Sequence, residues 1–227
     1  MRRVWLLTWL LISSLAWAAD NRWSSPSFSI PAKDLLELCG PVQTSNAHGA
    51  TVLLDDTELK IDSENRVVLR YHGIYRIDTA SAIEGWSSVQ AYWSPWHQKR
   101  PSIRARVISP DGVTQDLDPK TLSDSPARDQ RPEVYEDNRV MSGPIPAIKV
   151  GSIVEEEETT EDTEPLFKAG IVERVFFGRS APVKYTRLTV DASSSLPCAT
   201  PVSYCHRYRS PRRKMAAGSG SSSKMVR

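Results

Sequence analysis

Three cysteines and four histidines are the side chains of this 227-residue chain best suited to nucleophilic or metal chemistry, and their spacing suits neither. A thiol acts as a nucleophile when a nearby base makes it a thiolate. Cys205 and His206 are neighbours, but adjacent residues of an extended chain point to opposite sides, which places the pair poorly for proton transfer. Cys39 closes an expected helix, and Cys198 stands at the edge of the C-terminal stretch. A Cys198–Cys205 loop is conceivable, although nothing in the spacing demands it, and an odd cysteine count leaves one thiol unpaired. His48, His72, His97 and His206 are scattered, with no zinc-site spacing. His72 falls on the mixed face of a strand, where a solvated or hydrogen-bonded imidazole is expected. No Gly-rich phosphate loop and no serine nucleophile elbow occur. The expectation is no catalytic residue, no metal and no cofactor.

Two other stretches could bind. In "EEEETTEDTE", Glu155 and Glu157 share one strand face and Glu156 and Glu158 the other, so the carboxylates do not converge as a calcium site needs. A solvated edge strand, its charges discouraging edge-to-edge pairing, is expected there. Residues 91–109, "AYWSPWHQKRPSIRARVIS", hold three aromatics, a histidine and four Lys or Arg. Tyr92, Trp93, Trp96 and Arg100 could form a platform for a sugar or peptide. The competing reading is a corner between strands. Ser94-Pro95 breaks the strand, and Trp93 shares the parity of Val89 and Ala91 and so faces inward. Arg104 and Arg106 point away from Ile103, Ala105 and Val107.

The elements that position these residues are mostly strands. Residues 29–40, "SIPAKDLLELCG", read as the one short helix, with Pro31 at a first helical position and Gly40 closing it. From residue 51 the apolar period is two. "ATVLLDDTELKI" and "RVVLRYHGIYRID" form a hairpin across "DSEN". "WSSVQAYW" is a further strand, and "SIRARVIS-PDG-VTQDL" a second hairpin with turn chemistry at Pro110-Asp111-Gly112. Residues 118–138 read as a long polar loop and "RVMSGPIPAI" as a short edge strand. "GSIVEEEETTED", "AGIVERVFFGRS" and "PVKYTRLTVDA" supply three more candidates. About eight short strands with regular turn signals imply an all-β domain, an antiparallel β-sandwich-like fold, with a partly open barrel as the alternative.

The ends differ from the body. A basic start, an apolar run of about 15 residues and Ala16-Trp17-Ala18 read as a signal peptide over residues 1–18; a membrane span needs about 20. Export to the periplasm or the extracellular space is expected, with no membrane span after cleavage. Residues 19–49 then carry the helix and a loop, 50–197 the β domain and 198–227 a tail. Residues 19–197 contain 20 Lys or Arg against 27 Asp or Glu, whereas 198–227 contain seven basic residues and no acid. The tail has no apolar period and ends in Gly/Ser low complexity, so disorder is expected. The sharp break after "TVDASSSLP" also suits an out-of-frame or truncated end. An exported chain with an acidic body is not expected to bind nucleic acid.

The ordered pieces "VVLRYHGIYRI", "AYWSPWHQKRPSIRARVISPDGVTQDLDP", "IPAIKVGSIVEEE" and "FFGRSAPVKYTRLTVDAS" resemble an uncharacterised bacterial β domain. It is a domain-of-unknown-function family that follows a signal peptide and precedes a transglutaminase-like domain in exported proteins. The resemblance covers about residues 50–195. It departs after "GSIVE", where aromatics often follow and this chain has "EEETT". It implies an antiparallel β domain with an accessory, non-catalytic role, the chemistry belonging to a downstream Cys-His-Asp domain that this chain lacks. The expected partner is that missing domain or another envelope protein. A free-standing secreted binding module is the alternative, and a secreted hydrolase with an unrecognised site a third class.

Overall fold

The computed structural model describes residues 22–127, 137–173, 175 and 180–193. Among the described residues nine strands make two sheets, with one α-helix beside them, an all-β sandwich-like architecture, as the strand period implies. In chain order the strands are β1 (Ala50–Ile61), β2 (Val67–Ile77), β3 (Ser88–Trp93), β4 (Ser102–Ile108), β5 (Thr114–Asp116), β6 (Ser123–Pro126), β7 (Arg139–Pro144), β8 (Ile153–Glu161) and β9 (Thr186–Ala192). The helix, α1, is Ala32–Cys39. The large sheet runs β5-β4-β8-β2-β1-β9 and the small one β3-β7-β6.

The β1–β2 hairpin turns where "DSEN" sits. Asp62 Oδ1 accepts the Glu64 and Arg66 N–H groups, and Asn65 takes the left-handed conformation that asparagine tolerates. β9 pairs with β1 in parallel, the one parallel pair among the described strands.

The large sheet is covered on both sides. On one side the small sheet brings Val89, Ala91 and Met141 against Val52, Tyr75, Val107 and Val154. On the other, α1 sets Leu35 and Cys39, one helical turn apart, on Leu53, Leu54, Ile74, Ile108 and Ile153. A register shift between Val52 and Leu54 allows both leucines to join this second cluster. Arg76, 1 % exposed, donates from Nη1 to the carbonyls of Cys39 (2.8 Å) and Gly40 (2.9 Å), satisfying the last turn of α1 with a cation. Its Nε donates to Asp78, 2.7 Å away.

Four expectations need correction. β8, expected to be a solvated edge, is an interior strand between β4 and β2. β7, read as an edge strand, is the centre of the small sheet. The expected 118–138 loop contains β6, whose Ser-Asp-Ser-Pro sequence has little strand propensity and is held as an edge by β7. The candidate strand at 169–180 shows no strand among its described residues; Ile171 and Val175 instead pack on Leu59, Val67 and Leu188. The tail and the signal region lie outside the described residues. No described helix is long and apolar enough to cross a membrane.

Candidate functional site

The residues with the greatest chemical potential line one face of the large sheet. Antiparallel partners point their side chains the same way, so the register sets Arg104 (β4), Glu157 (β8), His72 (β2), Asp56 (β1) and Arg187 (β9) in one row. Arg106 and Glu155 start the next row on the same face. Alternation in sequence thus becomes a lattice of opposite charges across five strands.

Glu155 is its centre and is 0 % exposed. Its Oε1 lies 2.8 Å from His72 Nε2 and accepts the Phe28 backbone N–H at 2.7 Å. Its Oε2 accepts from Arg106, 2.8 Å from Nε and 2.6 Å from Nη2. Burial alone pushes this carboxyl up. The hydrogen bonds from His72 and Phe28 and the Arg106 charge outweigh it and hold Glu155 below the ordinary glutamate value. Glu157 takes Arg70 at 3.1 Å and Arg104 at 3.7 Å. Asp56, also buried, is gripped by both ends of the Arg187 fork.

Residues 22–31 lie over this lattice. Ser27 Oγ donates to Glu157, Arg106 Nη2 donates to the Ile30 carbonyl at 2.7 Å, and Arg187 Nη1 donates to Ser24 Oγ at 3.2 Å. The Phe28 ring lies beneath the Arg104 guanidinium, 4.3 Å from ring centre to Cζ. Phe28 has φ of 63°, a left-handed conformation that costs a bulky residue about 1–3 kcal/mol.

The four platform residues differ in exposure. Tyr92, 63 % exposed, stands on the outer face of β3, its hydroxyl 3.4 Å from Gln90. Trp96, 57 % exposed, covers the buried His97 ring at 4.2 Å. Arg100 is exposed, while Trp93 follows Val89 and Ala91 inward and is half-buried. Its buried indole N–H has no partner. The corner that holds Trp96 is tied to the end of β8, where Lys99 N donates to Glu161 O and Thr163 N to His97 O.

Cys39 is the one cysteine among the described residues and is free and buried. Burial pushes its thiol up to about 11 against the nearby Arg76 and Lys184 charges, which keeps it protonated and inert. Cys198, Cys205 and His206 lie outside the described residues. Among the described residues no three His, Cys, Asp or Glu gather to hold a metal. An open cleft of about 720 Å³ lies beyond the lattice, lined by Lys60, Arg66, Lys99, Glu161, Asp162 and Asp191. Its cations are already paired, Arg66 with Asp62, Lys99 with Glu161 and Lys60 with Glu58.

Sequence reasoning missed the lattice because it treated each charged face separately. The available signal was complementarity: Arg104 and Arg106 alternate on one strand and Glu155 and Glu157 on another, with Arg70 and His72 on a third.

No curated protein sequence matches the chain. Among solved structures, a candidate protease from Parabacteroides distasonis superimposes with a TM-score of 0.59 at 14 % identity. The match covers 66 % of this chain and 30 % of that one, so the chain spans less than a third of that protein and the likeness is one of fold. Yeast LTA4 hydrolase, solved with bestatin, aligns over 72 % of this chain and 27 % of its own at 11 % identity, with a TM-score of 0.32 that carries no argument. The family model of DUF3857, a domain of unknown function with a solved structure, matches residues 63–221, from the β1–β2 turn through β9 and beyond. The chain belongs to the DUF3857 family.

Proposed function

We propose that this chain is an exported, non-catalytic accessory β domain of a transglutaminase-like protein, one that packs against or presents a catalytic partner domain. The observation that carries the reading is the closed state of the lattice. The buried carboxylate Glu155 is saturated by His72, Arg106 and a backbone N–H, which leaves this carboxylate poorly placed for acid–base work. The buried, protonated Cys39 supports it too, because a thiol held at about 11 supplies almost no nucleophile at neutral pH. That the chain corresponds to 30 % of a longer candidate protease fits a domain accompanying a hydrolytic one. The resemblance of residues 50–195 supplies the transglutaminase-like partner and the export.

The test joins genetics and assay. The genomic locus is sequenced past codon 227, and the mature chain is assayed for amide hydrolysis and amine incorporation. The reading expects a Cys-His-Asp domain encoded with or beside this chain, and no turnover by the chain alone. Turnover by the chain alone that is abolished in Cys39→Ser or Glu155→Gln would overturn it.

A secreted binding module for a sugar or peptide is the second reading, favoured by the exposure of Tyr92 and Trp96. Titration of tryptophan fluorescence with neutral oligosaccharides and short peptides tests it. Saturable quenching lost in Trp96→Ala supports it, and a flat titration removes it.

A further inference from the structure

The segment over the charge lattice is attached in the manner of a bound peptide. Its contacts to the sheet include one main-chain N–H (Phe28 to Glu155), one main-chain carbonyl (Ile30 from Arg106), two serine hydroxyls (Ser24 and Ser27) and the Phe28 ring, which lies beneath Arg104 and near Arg106 and the His72 ring. None of residues 23–30 is buried; Ser24, Pro26 and Ser29 are exposed and the rest half-buried. Trp23 and Ile30 touch the apolar cluster under α1 only from its margin, and Trp23 stacks loosely on Tyr185 at 6.5 Å.

Several groups of the sheet keep a partner on the sheet without the segment. Arg106 is held by Glu155, His72 by Glu155, Arg70 by Glu157 and Glu58, and Arg187 by Asp56. α1 has its own anchors, Leu35 and Cys39, so the fold does not need the segment to keep the helix in place. The segment, by contrast, holds Phe28 in the left-handed region, a conformation its release would relax.

We propose that this face of the large sheet is a groove for an extended peptide, and that residues 24–30 are its resident ligand, able to leave while α1 and the sheet stay folded. The ligand it selects is defined by the contacts: a hydroxyl for Glu157, then a residue whose N–H meets Glu155 and whose ring meets Arg104, then a carbonyl two positions on for Arg106. A peptide of that pattern competes for the groove with the chain's own segment.

Hydrogen exchange on the full mature chain tests this, with the Phe28 amide as the reporter and the amides of β1 and β2 as the internal reference. The Phe28 amide is expected to exchange at least about tenfold faster than the reference strands, as local opening requires. An excess of synthetic RWSSPSFSIP, the sequence of residues 22–31, should accelerate it further, while the same peptide with alanine in place of Phe28 should not. Arg104→Ala, at a largely exposed side chain, should accelerate the Phe28 amide and leave β1 and β2 unchanged. The proposal is overturned if Phe28 exchanges in step with β1 and β2, if the two peptides act alike or not at all, or if Arg104→Ala changes segment and strands equally.

Discussion

Arg187 on β9 grips Asp56 on β1 with two parallel hydrogen bonds, Nε to Oδ1 at 2.7 Å and Nη2 to Oδ2 at 2.6 Å. The two are also register partners in the parallel ladder. A fork on a buried carboxylate is a strong, direction-specific contact, and here it seats the last strand. Arg187→Ala should cost about 3 kcal/mol, because it strands a buried carboxylate with only Arg70, 3.9 Å away, to answer it. Arg187→Lys should recover only part, since an ammonium lacks the fork. Urea denaturation of both variants measures this, and a parent-like Arg187→Ala midpoint would show that β9 is held by its apolar residues instead.

Arg104 and Arg106, two residues apart on β4, should behave differently. Arg104 is largely exposed and its loss should stay within about 1 kcal/mol. Arg106 is mostly buried against Glu155 and its replacement by alanine should cost about 3 kcal/mol. Sequence parity alone made the two equivalent exterior residues. Paired denaturant curves separate them, and equal shifts would mean that Glu155 is satisfied without Arg106.

Acid should weaken the fold at a definable point. Burial raises the carboxyls of Glu155 and Asp78, but His72, Phe28 N–H and Arg106 for the first, and Thr51, Asn46 and Arg76 for the second, hold both below their ordinary values. Such groups stabilise fully above their unfolded values, about 4, and the contribution is lost as pH falls through the folded values. The urea midpoint should therefore be flat from pH 7 to about 5 and fall below about 4. Asp78→Asn should lower the plateau and make the acid decline shallower; a midpoint unchanged down to pH 3 would show that these carboxyls do not gain stability on folding.

The tryptophans of the 91–109 stretch provide a fourth contrast. Trp93 faces inward and is half-buried, so Trp93→Ala should cost about 3 kcal/mol, the lower end for a large aromatic. Trp96, mostly exposed, should cost about 1 kcal/mol or less. Thermal melts decide it, and a parent-like Trp93→Ala melt would move this residue from the corner to the surface platform.

Cys39 should resist alkylation in the folded chain at pH 8 and react once denatured, since burial keeps its thiol protonated and out of reach. Peptide mapping after iodoacetamide treatment identifies the site. Rapid labelling of native Cys39 would mean that α1 opens readily.

Much of the fold was legible because period-two alternation marks a strand wherever one face is buried. It located β1, β2 and β4 within a residue or two, with the "DSEN" and "PDG" turns between partners. Alternation carries no information on which strand lies beside which, and that is where reading failed. Glu155 looks like a solvated charge until Arg106 and His72 are placed on either side of it, contacts 49 and 83 residues away in the chain. β6 was invisible for another reason: its Ser-Asp-Ser-Pro sequence has little strand propensity, and its pairing is made by β7, whose Arg139 also holds Asp124. The attachments of the segment at 22–31 were out of sight because they depend on charges contributed from three strands, β4, β8 and β9.

The parallel pairing of β9 with β1 sets the order in which the domain can form. Made from its N-terminus, the chain presents Asp56 when the side chain that will neutralise it is still 131 residues from synthesis. Glu155 must likewise appear before Phe28 and Arg106 have an anion to bind. Neighbouring hairpins can zip locally, but the charge lattice closes only when β9 arrives, and contacts of such long sequence separation make for slow assembly. Until then the half-built sheet exposes an unpaired edge along β1, with the Asp56 carboxylate still lacking its fork. That uncovered charge beside the open edge discourages pairing with another copy in the same state, so Asp56 protects the nascent molecule from its siblings before it seats the last contact of the lattice.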